Sequence, residues 1–239
     1  MDGASCVTLK STFTTLLSGC SMNELKIKVA KAALAFLEDH TILGIGSGST
    51  VNCFIKELAT IKHRIDVCVA SSKATEQLLR EYGIPVIDLN VAGDVPIYID
   101  GADEVNEHCE MIKGGGGALT REKIIATVAK QFICIVDHTK VVRHLGGFPI
   151  AIEVIPMARS FVARELVKLG GDPQYREGFV TDNGNVILDL LNLTLDLPRA
   201  LEDTINCIPG VVENGLFAKR LADQVLVAHD DRVTTINGA

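Results

Sequence analysis

Four short clusters of glycine, hydroxyl, acidic and basic residues carry the chemistry this sequence offers. The first is Gly44-Ile45-Gly46-Ser47-Gly48-Ser49-Thr50, an apolar strand pattern that runs into a helix through glycines and hydroxyls. That combination suits a phosphate. Glycines let backbone N–H groups approach the anion, a helix N-terminus adds partial positive charge, and Ser47, Ser49 and Thr50 supply side-chain donors. The two better-known phosphate motifs fail, because Gly48 rather than Lys precedes Ser49, and because Ser49 stands where a dinucleotide fingerprint needs its third glycine. The ribose-binding acid is missing too, since the second strand ends in Ser71-Ser72. A plain Gly-Ser turn remains the alternative for this cluster alone.

The second cluster, Asp100-Gly101-Ala102-Asp103-Glu104, puts two acids on a glycine turn directly after a strand, where carboxylates can bind sugar hydroxyls or move protons. A solvated acidic loop or a helix cap is the structural alternative. A metal site is the other rival, since Glu107, His108 and Glu110 follow, but the spacing fits neither a calcium loop nor a zinc helix. The third cluster, Lys113-Gly114-Gly115-Gly116-Gly117, sets one cation beside four glycines, a run whose backbone entropy argues against a purely structural purpose. The fourth, Thr120-Arg121-Glu122-Lys123, places Glu122 on the first turn of a helix, where capping is the usual role of an acid. If Glu122 is instead a base, the helix end lowers its pKa and burial raises it, and the sequence gives no net sign.

Hydrophobic periods show which elements must hold these clusters. Leu25, Val29, Ala32, Ala33, Phe36 and Leu37 repeat at helical spacing from Met22 onward. Thr41 to Ile45 reads as strand, Val51 to Leu58 as helix, Ile65 to Ala70 as strand, and Ser72 to Tyr82 as helix stopped by Gly83. Ile84 to Leu89 and Pro96 to Asp100 follow as strands. Leu119 to Lys130 is a helix with Thr120 as its expected N-cap, and it feeds the strand Phe132 to Val136. Continuously apolar strands alternating with helices imply a parallel sheet covered on both faces. After Gly146-Gly147 the rhythm changes to strand (Pro149 to Ile155), helix (Ala158 to Leu169), two strands flanking the Asp182-Asn183-Gly184-Asn185 turn, helix (Pro198 to Asn206) and strand (Gly210 to Glu213). That order is the split βαβ, or ferredoxin-like, unit. The alternating tail from Ala222 to Ile236 is expected to return to the main sheet. The fold class is therefore α/β: a Rossmann-like parallel-sheet domain over 22–147 and 217–239, with a smaller ferredoxin-like α+β lid or oligomerisation domain over 148–216.

Composition narrows the function. Over 239 residues, 23 Lys and Arg stand against 30 Asp and Glu, and a formal charge of -7 argues against a nucleic-acid backbone as partner. Aromatics are 5% with no Trp, too few for a base-stacking or lectin face. Seven cysteines, an odd number with no C-x-x-C pair, fit a reducing cytoplasm better than a zinc ribbon or a disulfide framework. No apolar run is long enough for a membrane span. Leu17-Ser18-Gly19-Cys20 has the look of a lipoprotein cleavage site, but Asp2, Lys10 and a run of Ser and Thr spoil the segment before it, so residues 1–21 read as an unstructured extension.

Taken in order, Gly46-Ser47-Gly48-Ser49-Thr50, Tyr98-Ile99-Asp100-Gly101-Ala102-Asp103-Glu104, Lys113-Gly114-Gly115-Gly116 and Leu119-Thr120-Arg121-Glu122-Lys123 resemble the type A ribose-5-phosphate isomerases. Val154-Ile155-Pro156-Met157-Ala158-Arg159, Val180 to Asn185 and Ile208-Pro209-Gly210-Val211-Val212 extend the resemblance to essentially Met22 through Ile236. Ser47 where the family often has Thr, the extra Gly117 and the unmatched first 21 residues are its departures. The resemblance implies interconversion of ribose 5-phosphate and ribulose 5-phosphate in the pentose phosphate pathway, with no metal and no organic cofactor. By resemblance Glu122 is the proton acceptor and Lys113 stabilises the enediolate. Asp100 assists ring opening or hydroxyl proton transfer, and Asp103 orients the sugar. Ser47, Gly48, Ser49, Thr50, Gly101, Ala102, Gly114, Gly115, Gly116 and Lys140 join them in holding substrate, with Lys26 a lesser candidate. The same resemblance implies a homodimer or tetramer. A non-catalytic sugar-phosphate sensor is the rival from another class, though no helix-turn-helix accompanies it, and a different isomerase or a CoA transferase on a similar fold is the second.

Overall fold

The computed structural model describes residues 20–39 and 41–238. The expected extension therefore lies outside the described residues except for its end, where Ser21 caps the first helix. Its hydroxyl accepts from Glu24 N and the Glu24 carboxylate accepts from Ser21 N, a complete capping box. Helix α1 (Met22–Ala33) buries Leu25, Val29, Ala30 and Ala33. Strand β1 (Thr41–Ile45) leads into α2 (Ser49–Ala59), β2 (Ile65–Ala70) into α3 (Lys73–Glu81), and a short α4 (Leu89–Ala92) precedes β3 (Ile97–Asp100). Two-residue strands β4 (Glu104–Val105) and β5 (Met111–Ile112) follow, then α5 (Leu119–Val128) and β6 (Gln131–Asp137). The chain continues as β7 (Ile150–Val154), α6 (Arg159–Lys168), β8 (Asp172–Tyr175), β9 (Val186–Leu191), α7 (Pro198–Asn206), β10 (Val211–Asn214), β11 (Leu216–Phe217), β12 (Gln224–Ala228) and β13 (Val233–Asn237).

The main sheet runs β13-β12-β6-β3-β1-β2, parallel throughout except for β13. Strands β1, β3, β6 and β12 are buried on both faces, while β2 and β13 at the edges are partly exposed. Leu43, Ile45, Ile99, Ile133 and Ile135 pack under α1 and α2, while Tyr98, Phe132, Cys134 and Val136 pack with Ile125 and Ala126 of α5. The tail returns to this sheet as expected. The second sheet runs β10-β7-β9-β8 and is antiparallel, with Val162 and Leu166 of α6 and Ile205 of α7 packed on Ile152, Leu188 and Leu190. Strand, helix, strand, strand, helix, strand with the first and last strands adjacent at its centre and edge is the split βαβ arrangement.

Four details depart from the sequence reading. Ile84 to Leu89 makes one bridge, Val86 to Cys68, rather than a strand. Pro85 has no N–H to continue the ladder, and the Asp88 carboxylate turns the chain into α4 by accepting from Asn90 N at 2.7 Å. Thr120 is not the cap of α5. Ala118 is, and the Thr120 hydroxyl reaches Glu153 instead. The Asn183-Gly184 turn does not join its flanking strands tightly, because residues 176–185 separate β8 from β9 and the turn is closed locally by Thr181 N to Asn185 O at 2.9 Å. Finally, β4, β5 and β11 form a small sheet of their own in the order β11-β5-β4, which no periodicity announced.

Candidate active site

The C-terminal ends of β1, β3 and β6, neighbours in the main sheet, bring the clusters together. At the end of β1 the chain passes over Asp100. A Cβ on Gly46 would lie 1.9 Å from Asp100 Oδ1, so only glycine lets the turn cross there. Gly48, at φ +95°, forms the N-cap of α2 with no side-chain cap bond, which leaves the first N–H groups of that helix available to an anion.

Asp100 is wholly buried, and its acceptor positions are filled: Oδ1 takes Ser47 N at 3.1 Å and Gly101 N at 2.7 Å, while Oδ2 takes the Tyr98 hydroxyl and Lys113 Nζ at 2.7 Å. Lys113 enters from the end of β5, where its own N–H is held by Gly215 O at 2.8 Å. Its ammonium also touches Gly101 O at 2.5 Å and Glu122 Oε2 at 3.2 Å. Glu122 Oε1 accepts from the Ser47 hydroxyl, whereas Oε2, buried, has the ion-pair contact with Lys113 but no hydrogen-bond donor. Asp103 accepts from Gly115 N at 2.8 Å, tying the second cluster to the third. Arg176, paired with Asp189, donates to Gly114 O and Gly115 O and closes the glycine turn from the other side.

Burial sets the electrostatics. It pushes the Glu122 carboxyl up to about 7, reinforced by the Asp100 charge and opposed by Lys113 and Ser47. Burial also works against the Lys113 charge, but Asp100 and Glu122 outweigh it and hold the ammonium above its ordinary value. The Tyr98 hydroxyl is driven well above its ordinary range by burial and by the same two carboxylates.

The residues on either side of Glu122 are anchored on the segment that carries the second sheet. Thr120 donates to Glu153 of β7, and Arg121 donates to Asn183 Oδ1 at 2.8 Å and Asp182 O at 3.1 Å. Lys123 donates to Glu202 at 2.8 Å and Glu213 at 2.9 Å. Glu153 is buried and pairs with no cation among the described residues, and Thr181, Asn183 and Asn185 add donors to its two oxygens.

A cavity of about 250 Å³ opens over these groups. Ser47, Gly48, Ser49 and Thr50 line it from the first cluster, Gly101, Ala102 and Asp103 from the second, Lys113 through Gly116 from the third, and Glu122 from the fourth. Lys26 and Lys140 line it as well. Asp100 does not, because it sits behind Lys113. Met22, Asp137 and Thr139 complete the wall and were not anticipated; the only signal for Asp137 was its place at a strand end. His138 stays outside, stacked on His229 at 5.8 Å between ring centres. The acids after Asp103 serve the fold: Glu104 accepts from Gly146 N at 2.8 Å and Phe148 N at 2.6 Å, Glu110 accepts from Asn106, and Glu107 and His108 are exposed. Among the described residues no group of three or more His, Cys, Asp or Glu side chains is placed to hold a metal ion.

A buried carboxylate near neutrality, a cation beside it and an anion-ready helix end in one cavity can lift a proton from carbon in a phosphorylated substrate. Known proteins resemble this chain over most of its length. Residues 67–232 match the family model described as ribose 5-phosphate isomerase A (phosphoriboisomerase A). Ribose-5-phosphate isomerase A of Legionella pneumophila (strain Philadelphia 1) is 73% identical over 215 residues, 90% of this chain and 100% of that one. The crystal structure of the Neisseria gonorrhoeae ribose 5 phosphate isomerase A superposes with a TM-score of 0.91 at 42% identity, over 92% of this chain and 99% of that one. A D-ribose-5-phosphate isomerase solved with phospho-erythronic acid gives 0.88 at 38% identity, over 91% and 100%.

Proposed function

The chain belongs to the ribose 5-phosphate isomerase A family, and from that premise we propose that it interconverts ribose 5-phosphate and ribulose 5-phosphate through an enediolate, with Glu122 moving the proton. Glu122 takes the C2 proton of the open-chain aldehyde, the C1 oxygen gains the charge, and the Lys113 ammonium stabilises it. Glu122 then returns the proton to C1 while the O2 proton passes to O1, which completes the ketose without oxidant or reductant. The observation that carries this reading is Glu122 itself: buried, near 7, in the cavity wall, and held among the described residues only by the Ser47 hydroxyl and the Lys113 ammonium. A base of that pKa is half-ionised at neutral pH, the range where proton transfer in both directions is efficient.

Asp100 orients Lys113 and Ser47 from behind, and its part in ring opening runs through them. Asp103, facing the cavity, orients the sugar. The phosphate belongs at the α2 N-terminus with Ser49 and Thr50, with Lys140 and Lys26 supplying positive charge. We read 22–147 with 217–239 as the catalytic unit and 148–216 as the lid or oligomerisation unit of a homodimer. We place the protein in the non-oxidative pentose phosphate pathway in the cytoplasm.

Isomerisation in deuterium oxide tests the proton route. Deuterium should enter C1 of ribulose 5-phosphate in the wild type, and Glu122→Gln should isomerise and exchange slower by about 10²-fold or more. Binding of ribose 5-phosphate by a wild type that never exchanges would instead favour the sensor. A phosphorylated sugar acid carries its charge where the enediolate does, so phospho-erythronic acid should compete with substrate.

A further inference from the structure

We propose that Asp137 is a substrate-binding residue whose Oδ2 accepts a hydrogen bond from a hydroxyl of the sugar chain; this rests on the sugar-phosphate reading of the cavity. Asp137 ends β6, the strand beside that of Asp100, and is 1% exposed. Its two oxygens are used unequally. Oδ1 starts the 3-10 turn His138–Lys140 by accepting from Thr139 N at 3.0 Å and from the Thr139 hydroxyl. Oδ2 is buried and meets no donor among the described residues, yet the side chain lines the cavity alongside Lys26, Thr139 and Lys140.

A cap needs one oxygen only, and Ser, Thr or Asn would supply it. The second oxygen of a buried carboxylate is costly to desolvate unless something donates to it, so an idle one in a cavity wall calls for a partner. The partner's chemistry follows from the acceptor. A carboxylate oxygen repels a phosphate and attracts O–H groups, and the substrate proposed for this cavity carries hydroxyls along its carbon chain. Lys140 is three residues past the cap, so the same turn offers a cation to the phosphate and an acceptor to the sugar.

Two substitutions separate this role from capping. Asp137→Asn keeps the shape and the cap while turning the unpartnered acceptor into a donor; Asp137→Ser keeps a cap and removes the second oxygen altogether. For both variants and the wild type, kcat and KM for ribose 5-phosphate and the inhibition constant of inorganic phosphate would be measured. A hydrogen bond to a charged acceptor corresponds to roughly ten- to hundred-fold in kcat/KM, mostly through KM because ground and transition states share the hydroxyl. The phosphate constant should stay within about two-fold, since phosphate has no sugar hydroxyl to lose. Unchanged kcat/KM in both variants would overturn the proposal. So would phosphate affinity falling in step with kcat/KM, which would make Asp137 a support for the lysines alone. A wild type without turnover would defeat the isomerase reading instead.

Discussion

Glu122→Gln should make the protein more stable, by an amount that depends on pH. The folded carboxyl is pushed from its ordinary 4.5 to about 7, chiefly by burial and then by Asp100. Below pH 4.5 the folded and unfolded chains both hold the proton, so Glu and Gln are equivalent in charge. Between 4.5 and 7 the unfolded chain ionises freely while the fold resists, and the wild type loses stability as pH rises. At about 1.4 kcal/mol per pH unit, that interval is worth about 3 kcal/mol. The glutamine variant has no such loss, so its advantage should grow from pH 4.5 to 7 and level off above. For a chain of this size that corresponds to roughly 6 to 12 °C in Tm at pH 8 relative to the difference at pH 4.5. Paired denaturant or thermal melts at fixed protein concentration would read it, and titrating groups that do not interact with Glu122 cancel in the difference. Turnover should drop by about 10²- to 10⁴-fold in the same variant. A stability difference that is flat with pH, or that shrinks as pH rises, would refute the account of why Glu122 sits near 7.

The wild-type kcat/KM should climb about tenfold per pH unit below 7 and flatten above it, because the free enzyme needs Glu122 ionised. Lys113→Met removes a charge that lowers the Glu122 pKa, so that limb should move to higher pH while kcat falls by about 10² or more, read from pH–rate profiles. Gly46→Ala drives a methyl into the Asp100 carboxylate, and about 1–3 kcal/mol of stability and most activity should go with it in melts and assays. Excess chelator should leave turnover unchanged, since every step assigned here is carried by side chains of the chain itself. Glu153→Leu strips the acceptor from Thr120, Thr181, Asn183 and Asn185 and should cost about 3–5 kcal/mol in denaturant melts.

The parts of this molecule that the sequence announced are those governed by local rules. Apolar runs alternating with helical stripes reveal the parallel sheet, because strands buried on both faces have no other way to look. The glycine clusters were readable because the backbone needs them: Gly46 passes over a carboxylate, and Gly48 and Gly114 hold positive φ. What could not be read depends on contacts distant in sequence. Strands β4, β5 and β11 are two residues long and exist because residues 104–105, 111–112 and 216–217 meet in space. Thr120 satisfies every local criterion for a cap but bonds to Glu153, 33 residues on. Glu153 would be taken for a solvent-facing position of β7, since nothing in its neighbours announces three amide and hydroxyl partners from the 181–185 turn. The position of Asp100 behind Lys113, rather than in the cavity wall, is equally a matter of packing depth, to which a motif is blind.

The anchoring of Thr120, Arg121 and Lys123 has a consequence for how this enzyme would fail. Three of the four residues that spell the fourth cluster are tethers, and the remaining one is the base. Should the antiparallel unit come loose under heat or denaturant, α5 would lose its polar tethers while β1, β3 and β6 were still paired. Inactivation would then precede melting of the parallel sheet, and turnover would serve as an early gauge of the seam between the two sheets. For the same reason the parallel sheet makes a poor minimal isomerase: it would keep its phosphate loop, its buried aspartate and the apolar packing under α5, but lose the polar tethers on either side of the base.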